Sequence, residues 1–177
     1  MKAITLRTAD PNLILIEPNI ERDAVNGVKW LEGDQGVATL LKMGVPKSDI
    51  EPTSIEAERQ RVNEFLTKPD ELNWMIEYKG QVVGSIWADL KPTKYIPSPT
   101  VAIMIGDPAA RGQGIGFKAL EAVKSYFKNI GETKVYARYL TGNDASRQLT
   151  TRSGFVKEGD TYMDQDDLEW QNVVLAL

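Results

Sequence analysis

A glycine-rich turn lies between an apolar run and a helical pattern in the second half of this 177-residue chain. Residues 101–105 are all apolar and lead through a Gly-Asp-Pro turn into Arg-Gly-Gln-Gly-Ile-Gly at 111–116. After the turn, apolar residues recur at helical intervals, at Leu120, Val123, Phe127 and Ile130. This order predicts a buried strand, a tight turn and an amphipathic helix in direct succession.

The turn has the chemistry of a phosphate site. Gly112, Gly114 and Gly116 leave the backbone uncovered by side chains. The N–H groups at the start of a helix lack partners within it and lie at the positive end of its dipole, which suits a pyrophosphate. The spacing is not the G-x-G-x-x-G of a dinucleotide fold, and Phe117 and Lys118 replace the Lys-Ser/Thr of a nucleoside triphosphate loop. A phosphorylated cofactor of another kind is predicted.

Two motifs resemble those of the GCN5-related N-acetyltransferase (GNAT) family. The first, Arg/Gln-x-x-Gly-x-Gly/Ala after a strand, is met by Arg111, Gly114 and Gly116. The second, an Asn-x-x-Ser-x-x-Leu helix ending in Gly-Phe, is met by Asn143, Ser146, Leu149, Gly154 and Phe155. The resemblance covers residues 12–177 and is tightest between 100 and 158. It implies an N-acetyltransferase that uses acetyl-CoA as co-substrate.

The order of predicted elements is similar to the fold of that family. The fold class is α/β, a single-domain GNAT fold over residues 1–177 with a mixed, mostly antiparallel sheet flanked by helices. Alternating apolar residues at 73–78 and 81–90 flank a Lys-Gly turn and predict an antiparallel hairpin. The family keeps its fourth and fifth strands parallel but splayed apart, and here these are 101–105 and 134–140. Two further strands are predicted to end the chain.

The resemblance implies that coenzyme A binds along the fourth strand and the glycine turn. The pantetheine arm would bond the strand edge like an added strand, and turn amides would hold the diphosphate with the Arg111 side chain nearby. A solvated turn arginine is the alternative for Arg111, and a helix N-cap is the alternative for Asn143. The predicted cofactor-binding residues are Ile103, Met104, Ile105, Arg111, Gly112, Gln113, Gly114, Ile115, Gly116, Phe117 and Asn143.

Acyl transfer to an amine requires a proton acceptor for the amine and a proton donor for the departing thiolate. The chain has no cysteine and no histidine, so carboxylates, hydroxyls, backbone amides or water must do this chemistry. Many family members place a glutamate on the fourth strand, but 101–105 has no carboxylate. The candidate bases are therefore Glu77, Asp89 and Asp164, and Asp164 is taken as the catalytic carboxylate.

The family's usual proton donor is also absent, because Thr150 replaces a tyrosine seven positions after the motif asparagine. In the branch that acetylates N-termini of ribosomal proteins, the RimJ/RimL type, a serine three positions after that asparagine is the proposed donor. Ser146 occupies this position and is the predicted acid, with capping of its own helix as the alternative. Local likeness to this branch extends to Trp30-Leu31 and 154–159. A backbone N–H near Ile105 is predicted to stabilise the oxyanion.

These features predict direct transfer of an acetyl group to a primary amine in a ternary complex, without a covalent intermediate or a metal. The acceptor remains open among a peptide N-terminus, a polyamine and an aminoglycoside-like amine. The acidic stretch 160–169 is either an acceptor surface or a solvated loop. The alternative function is a non-catalytic acyl-CoA-binding sensor or an inactive paralogue, which the missing glutamate and Thr150 suggest.

Composition bears on the partners. The formal net charge of −4 disfavours nucleic acid. No apolar stretch reaches the ~18 residues of a membrane span, and Met1-Lys2-Ala3 leads into no signal-like region, so we expect a cytoplasmic protein without a membrane partner. Dimers are common in the family, and a homodimer is one expected arrangement.

Overall fold

The computed structural model describes residues 4–177, which form one sheet with helices on its faces. Residues 1–3 lie outside the described residues. They are the residues from which no signal-like region was predicted to follow. The strands are β1 Leu6–Arg7, β2 Leu13–Ile16, β3 Glu71–Tyr78, β4 Gln81–Asp89, β5 Thr100–Ile105, β6 Lys134–Leu140, β7 Val156–Lys157, β8 Tyr162–Met163 and β9 Glu169–Ala176. The α-helices are α1 Ile20–Leu31, α2 Gly33–Lys42, α3 Ile55–Thr67, α4 Ile115–Asn129 and α5 Asp144–Arg152, and short 3-10 turns occupy Lys47–Asp49 and Pro108–Ala110.

The sheet runs in the order β1-β2-β3-β4-β5-β6-β9-β7, with β8 paired to β9. Every pairing between described strands is antiparallel except that of β5 with β6, which is parallel. This confirms the predicted fold class, and β5 and β6 are the parallel strands predicted at 101–105 and 134–140. The two strands predicted to end the chain are present as β7 and β9, and a short additional strand, β8, which was not predicted, lies between them in the sequence.

One face of the sheet packs against α4. Every second residue of the central strands points to this face. Leu13, Trp74 and Ile86 are buried there in the same core as Val123 and Phe127 of α4. The Trp74 ring meets Tyr126 edge-on at 5.6 Å, and its indole N–H donates to the carbonyl of Ile4 at 2.7 Å. The strand-turn-helix predicted around the glycine turn is thus fixed by burial of the apolar side of α4.

The opposite face carries α1 and α2. Met75 and Met104, whose strand neighbours point towards α4, pack here with Trp30 and Leu31. A Cβ on Gly106 would lie 2.2 Å from the Trp30 ring, so the indole rests directly on the backbone at the end of β5. No helix among residues 4–177 is long and apolar enough to span a bilayer.

Candidate active site

The glycine turn forms an uncapped helix start. Gly114 is the N-cap of α4 and has φ +75°, a left-handed conformation that favours glycine. No side chain caps this helix, whereas Asn19, Ser54 and Asn143 cap α1, α3 and α5. The first-turn amides at 115–117 therefore keep the unpaired donors and positive dipole end that suit a phosphate. The helix begins at Ile115, inside the glycine turn and before Leu120, the first of the periodic apolar residues.

The Arg111 side chain contacts the end of β5. Its Nε donates to the carbonyl of Ile105 at 2.9 Å, and one Nη donates to the carbonyl of Gly106 at 3.3 Å and to Thr39 Oγ1 of α2 at 3.2 Å. Arg111 is thus a bridge between the strand, the turn and α2, which neither the phosphate nor the solvated interpretation anticipated. The predicted phosphate contact stays a prediction.

β5 and β6 separate soon after they begin. In the described chain they pair only where Thr100 lies opposite Tyr136, whose N–H donates to the carbonyl of Pro99 at 2.9 Å. Backbone groups alternate in direction along a strand, so those of Ile103 and Ile105 point the same way as those of Pro99, into the gap. An extended amide-bearing chain could bond this edge.

Met104 differs from its two neighbours. The same alternation turns its backbone groups towards Ser85, its partner on β4. Its side chain packs beside Trp30 and Leu31 on the far face of the sheet. Of the three predicted strand residues, the geometry therefore favours Ile103 and Ile105 as main-chain partners for a ligand in the gap.

The second motif forms the first turn of α5, directly after β6. Asn143 is the N-cap, where its Oδ1 accepts from the Ser146 N–H at 3.2 Å and its Nδ2 donates to the carbonyl of Lys42 at 2.9 Å. The Ser146 hydroxyl has no hydrogen-bond partner within residues 4–177, so it does not cap the helix. Ser146 is half-buried in the first turn of α5, the helix that follows β6.

Asn143→Ala should lower the free energy of unfolding by about 1 kcal/mol, because α5 loses its cap. Asn143→Asp is the matched variant: it keeps an acceptor for the Ser146 N–H but cannot donate to Lys42. Urea unfolding followed by circular dichroism measures both. Equal midpoints for Asn143→Ala and the wild type would contradict the capping role.

The three candidate carboxylates lie in different places. Glu77 of β3 lies opposite Ile14 of β2, two strands from β5 and near the β1 end of the sheet. Asp164 accepts from the N–H groups of Asp166 and Leu168, at 2.9 and 3.0 Å, and from the Trp170 indole at 2.7 Å. Its contacts are those of a turn that joins β8 to β9.

Burial tends to raise the pKa of Asp164, but the backbone hydrogen bonds from Leu168 and Asp166 and the bond from Trp170 outweigh it, so its pKa lies below the ordinary value. A carboxylate of low basicity is a poor proton acceptor for an amine. These hydrogen bonds suit a structural role in the turn, and the role of Asp164 as the base stays a prediction.

Asp89 ends β4 opposite Thr100, and Glu71 of β3 faces it from the other side. Burial raises the pKa of Asp89, and the charge and hydrogen bond of Glu71 raise it further, against the opposing charges of Lys68 and Arg138. Of the three candidates, Asp89 is the carboxylate nearest to the closed end of the gap in the sheet order.

Sequence reasoning missed a cluster of one arginine and three aromatic side chains on the face of the sheet that carries Arg138. The Arg138 guanidinium lies 4.2 Å from the centre of the Trp170 ring and donates to the Tyr162 hydroxyl at 3.2 Å. Tyr162 stacks on Tyr95 at 5.2 Å between ring centres. Alternation along 134–140 could have shown that Arg138 shares a face with Tyr136, but its aromatic partners come from distant parts of the chain.

A surface pocket of about 270 Å³ lies where the end of α2 meets the turn between β6 and α5. Its lining residues are Leu41, Lys42, Leu140, Thr141, Gly142, Asn143 and Glu169. Hydroxyls of Thr141 and Thr161 donate to Glu169 and lower its pKa, so this carboxylate stays ionised. The pocket is therefore lined by both the N-cap residue of α5, Asn143, and the negatively charged Glu169.

The fold and site define an acetyltransferase. A sequence profile described as "Acetyltransferase (GNAT) domain" matches residues 12–156, and the chain therefore belongs to the GNAT acetyltransferase family. The predicted family and enzyme class, an N-acetyltransferase, are confirmed. No curated protein matches the sequence.

Solved structures share the fold at low identity. The microcin C7 self-immunity acetyltransferase MccE, in complex with acetyl-CoA and AMP, is 14% identical with a TM-score of 0.75, over 95% of this chain and 94% of its own. Mycobacterium smegmatis RimJ, in complex with CoA-disulfide, is 16% identical with a TM-score of 0.73, over 98% and 86%. Spermidine N-acetyltransferase from Vibrio cholerae, with CoA and spermine, is 15% identical with a TM-score of 0.70, over 94% and 96%.

Proposed function

We propose that this chain is a single-domain N-acetyltransferase that moves an acetyl group from acetyl-CoA directly to a primary amine. The observation that carries the proposal is the uncapped, glycine-led start of α4 beside the gap between β5 and β6. A diphosphate at this helix start and an amide-bearing arm in the gap together match the two recognisable parts of coenzyme A. MccE, RimJ and the spermidine enzyme, which share the fold, were solved with acetyl-CoA, CoA-disulfide and CoA, respectively.

The residues around the gap have separate proposed roles in cofactor binding and in catalysis. The amides at 115–117 would hold the diphosphate, and the main chain of Ile103 and Ile105 would bond the pantetheine arm. The Ile105 N–H points into the gap and can stabilise negative charge on the thioester oxygen. Ser146, whose hydroxyl has no other partner in the described chain, can donate a proton to the thiolate. Acetyl-CoA itself supplies an activated acyl group.

The acceptor is proposed to be a cationic amine at neutral pH. Glu169 lines the pocket between the end of α2 and the turn from β6 to α5, and two hydroxyls lower its pKa. The spermidine enzyme, which shares the fold and was solved with spermine, makes polyamines the first acceptors to test, and N-terminal peptides, which the sequence resemblance implies, are tested beside them. The fold that this chain shares with RimJ also favours the RimJ/RimL-like branch.

Release of free thiol from acetyl-CoA tests the function. The purified chain is assayed against N-terminal peptides, polyamines and aminoglycosides, and CoA binding is measured separately by calorimetry. Turnover with any of these amines supports the proposal. Tight binding of CoA without turnover above background would instead support a non-catalytic acyl-CoA-binding module.

Arg152→Ala should weaken CoA binding about threefold to fivefold, the range expected for one exposed charge. The Arg152 guanidinium lies 4.5 Å from the centre of the Phe117 ring in the first turn of α4, so it adds positive charge beside the diphosphate site. The loss should shrink at high salt. Arg59→Ala is the control, because Arg59 pairs with Glu21 away from this turn. Equal losses in both variants would contradict the assignment.

A further inference from the structure

One row of side chains crosses the sheet at the closed end of the gap. Glu71 lies opposite Asp89, Asp89 opposite Thr100, and Thr100 opposite Tyr136. Residues directly opposite in a sheet share a face, so these four side chains point to the same side. This side is the one away from α4, because Met75 and Met104, which lie four positions further along the same strands than Glu71 and Thr100, pack there.

The next row places a cation near Asp89. Arg138 is two residues beyond Tyr136 on β6, and therefore lies on the same face one step further into the gap. Its charge acts on Asp89, which places the two groups within electrostatic reach. A ligand arm that runs from the start of α4 into the gap would end where β5 and β6 meet. Asp89 pairs with Thr100 at this end of β5, and Arg138 lies on β6.

The charged and titratable groups around Asp89 are few. Glu71 comes from β3, Lys68 from the end of α3, and Arg138 and Tyr136 from β6. The Glu71 carboxylate is tied to Lys68 at 3.5 Å and accepts from Asn73 at 2.8 Å, so it stays beside Asp89. This arrangement makes Asp89 more basic than an ordinary surface aspartate.

We propose that Asp89 is the proton acceptor for the amine in the transfer reaction, positioned by Glu71 and within electrostatic reach of Arg138. This inference rests on the proposed function. The acceptor arrives as an ammonium and gives one proton to the Asp89 carboxylate. Its nitrogen then forms the bond to the acetyl carbon as the carbon–sulfur bond breaks. A second proton leaves the nitrogen and returns to the thiolate through Ser146 or water, and Asp89 later releases its proton to solvent.

Asp89→Asn tests the assignment through the pH profile. At neutral pH kcat should fall about 100-fold or more, the usual contribution of a general base, while KM for acetyl-CoA is unchanged. The rate of the variant should then rise tenfold per pH unit towards the pKa of the free amine, about 10, because only the neutral amine can react without a base. Asp49→Asn, at an exposed aspartate of the 3-10 turn Lys47–Asp49, is the control and should match the wild type.

Two further variants report on Asp89 in a different way. In the wild type, activity should fall below the pKa of Asp89, which burial and Glu71 raise. Glu71→Gln removes the like charge and should move this limb to lower pH, whereas Arg138→Gln removes the cation and should move it to higher pH. These shifts keep the test decisive if Asp89→Asn does not fold.

The outcomes separate the two levels of inference. Wild-type turnover with an unchanged pH profile in Asp89→Asn, or with no shift in Glu71→Gln, would overturn the role of Asp89 and leave the proposed function intact. No turnover by the wild type with any amine would overturn the proposed function and this inference with it.

Discussion

Gly114→Ala is expected to weaken CoA binding about 10- to 100-fold, as measured by calorimetry. Gly114 has φ +75°, and alanine in the left-handed region costs about 1–2 kcal/mol. Relief of that strain would rotate the first-turn amides of α4 away from the diphosphate, and each charge-assisted hydrogen bond so lost is worth about 1.5–3 kcal/mol. The added methyl group also projects into open space at the turn, because no heavy atom lies within 4 Å of that position.

Gly131→Ala is a closely matched control. Gly131 follows the other end of α4, has φ +94°, and also has no heavy atom within 4 Å of an added Cβ. Both variants should lose similar stability, but only Gly114→Ala should lose affinity for CoA. Equal affinities in the two variants would show that the diphosphate does not bind at this turn.

Ser146→Ala is expected to lower kcat by about 10- to 100-fold, at or below the lower end of the range for general acid catalysis. The structure separates the hydroxyl from the cap, because Asn143 accepts the Ser146 backbone N–H and the side chain contributes no hydrogen bond within residues 4–177. Removal of the hydroxyl should therefore leave the unfolding midpoint and CoA affinity unchanged. Release of thiol under saturating acetyl-CoA measures the effect.

Ser125→Ala is the control for loss of a helical serine. The Ser125 hydroxyl donates to the carbonyl of Glu121 at 2.9 Å on the exposed side of α4. It should leave kcat unchanged. A Ser146→Ala enzyme with wild-type kcat would remove Ser146 from the acid role and leave water as the proton donor.

Local sequence patterns were sufficient to predict those helices, strands and turns that depend only on residues close in sequence. The apolar run at 101–105, the glycine spacing and the helical repeat up to Ile130 predicted β5, the turn and α4, because each depends on residues close in sequence. The antiparallel hairpin of β3 and β4 followed for the same reason. The short strands β1 and β8 gave no signal, since two residues are too few for any alternation.

Pairing between distant segments limited the prediction of the site. The three candidate carboxylates could not be ranked from sequence, because their rank depends on strand order and on partners such as Trp170 for Asp164 and Glu71 for Asp89. The bridge from Arg111 to Thr39 of α2 likewise joins residues 72 positions apart. These contacts change the basicity and direction of a side chain without changing the motif that contains it.

The sequence alone determined the family, the fold and the position of the glycine turn, because these follow from residue types at short, fixed spacings. Tertiary structure decided which backbone groups of β5 face the gap, which hydroxyl in the first turn of α5 lacks a partner in the described chain, and which carboxylate lies beside the closed end of the gap. The physical reason is that strand register and burial set the direction, solvation and charge environment of each group, and both arise only when distant segments pack together.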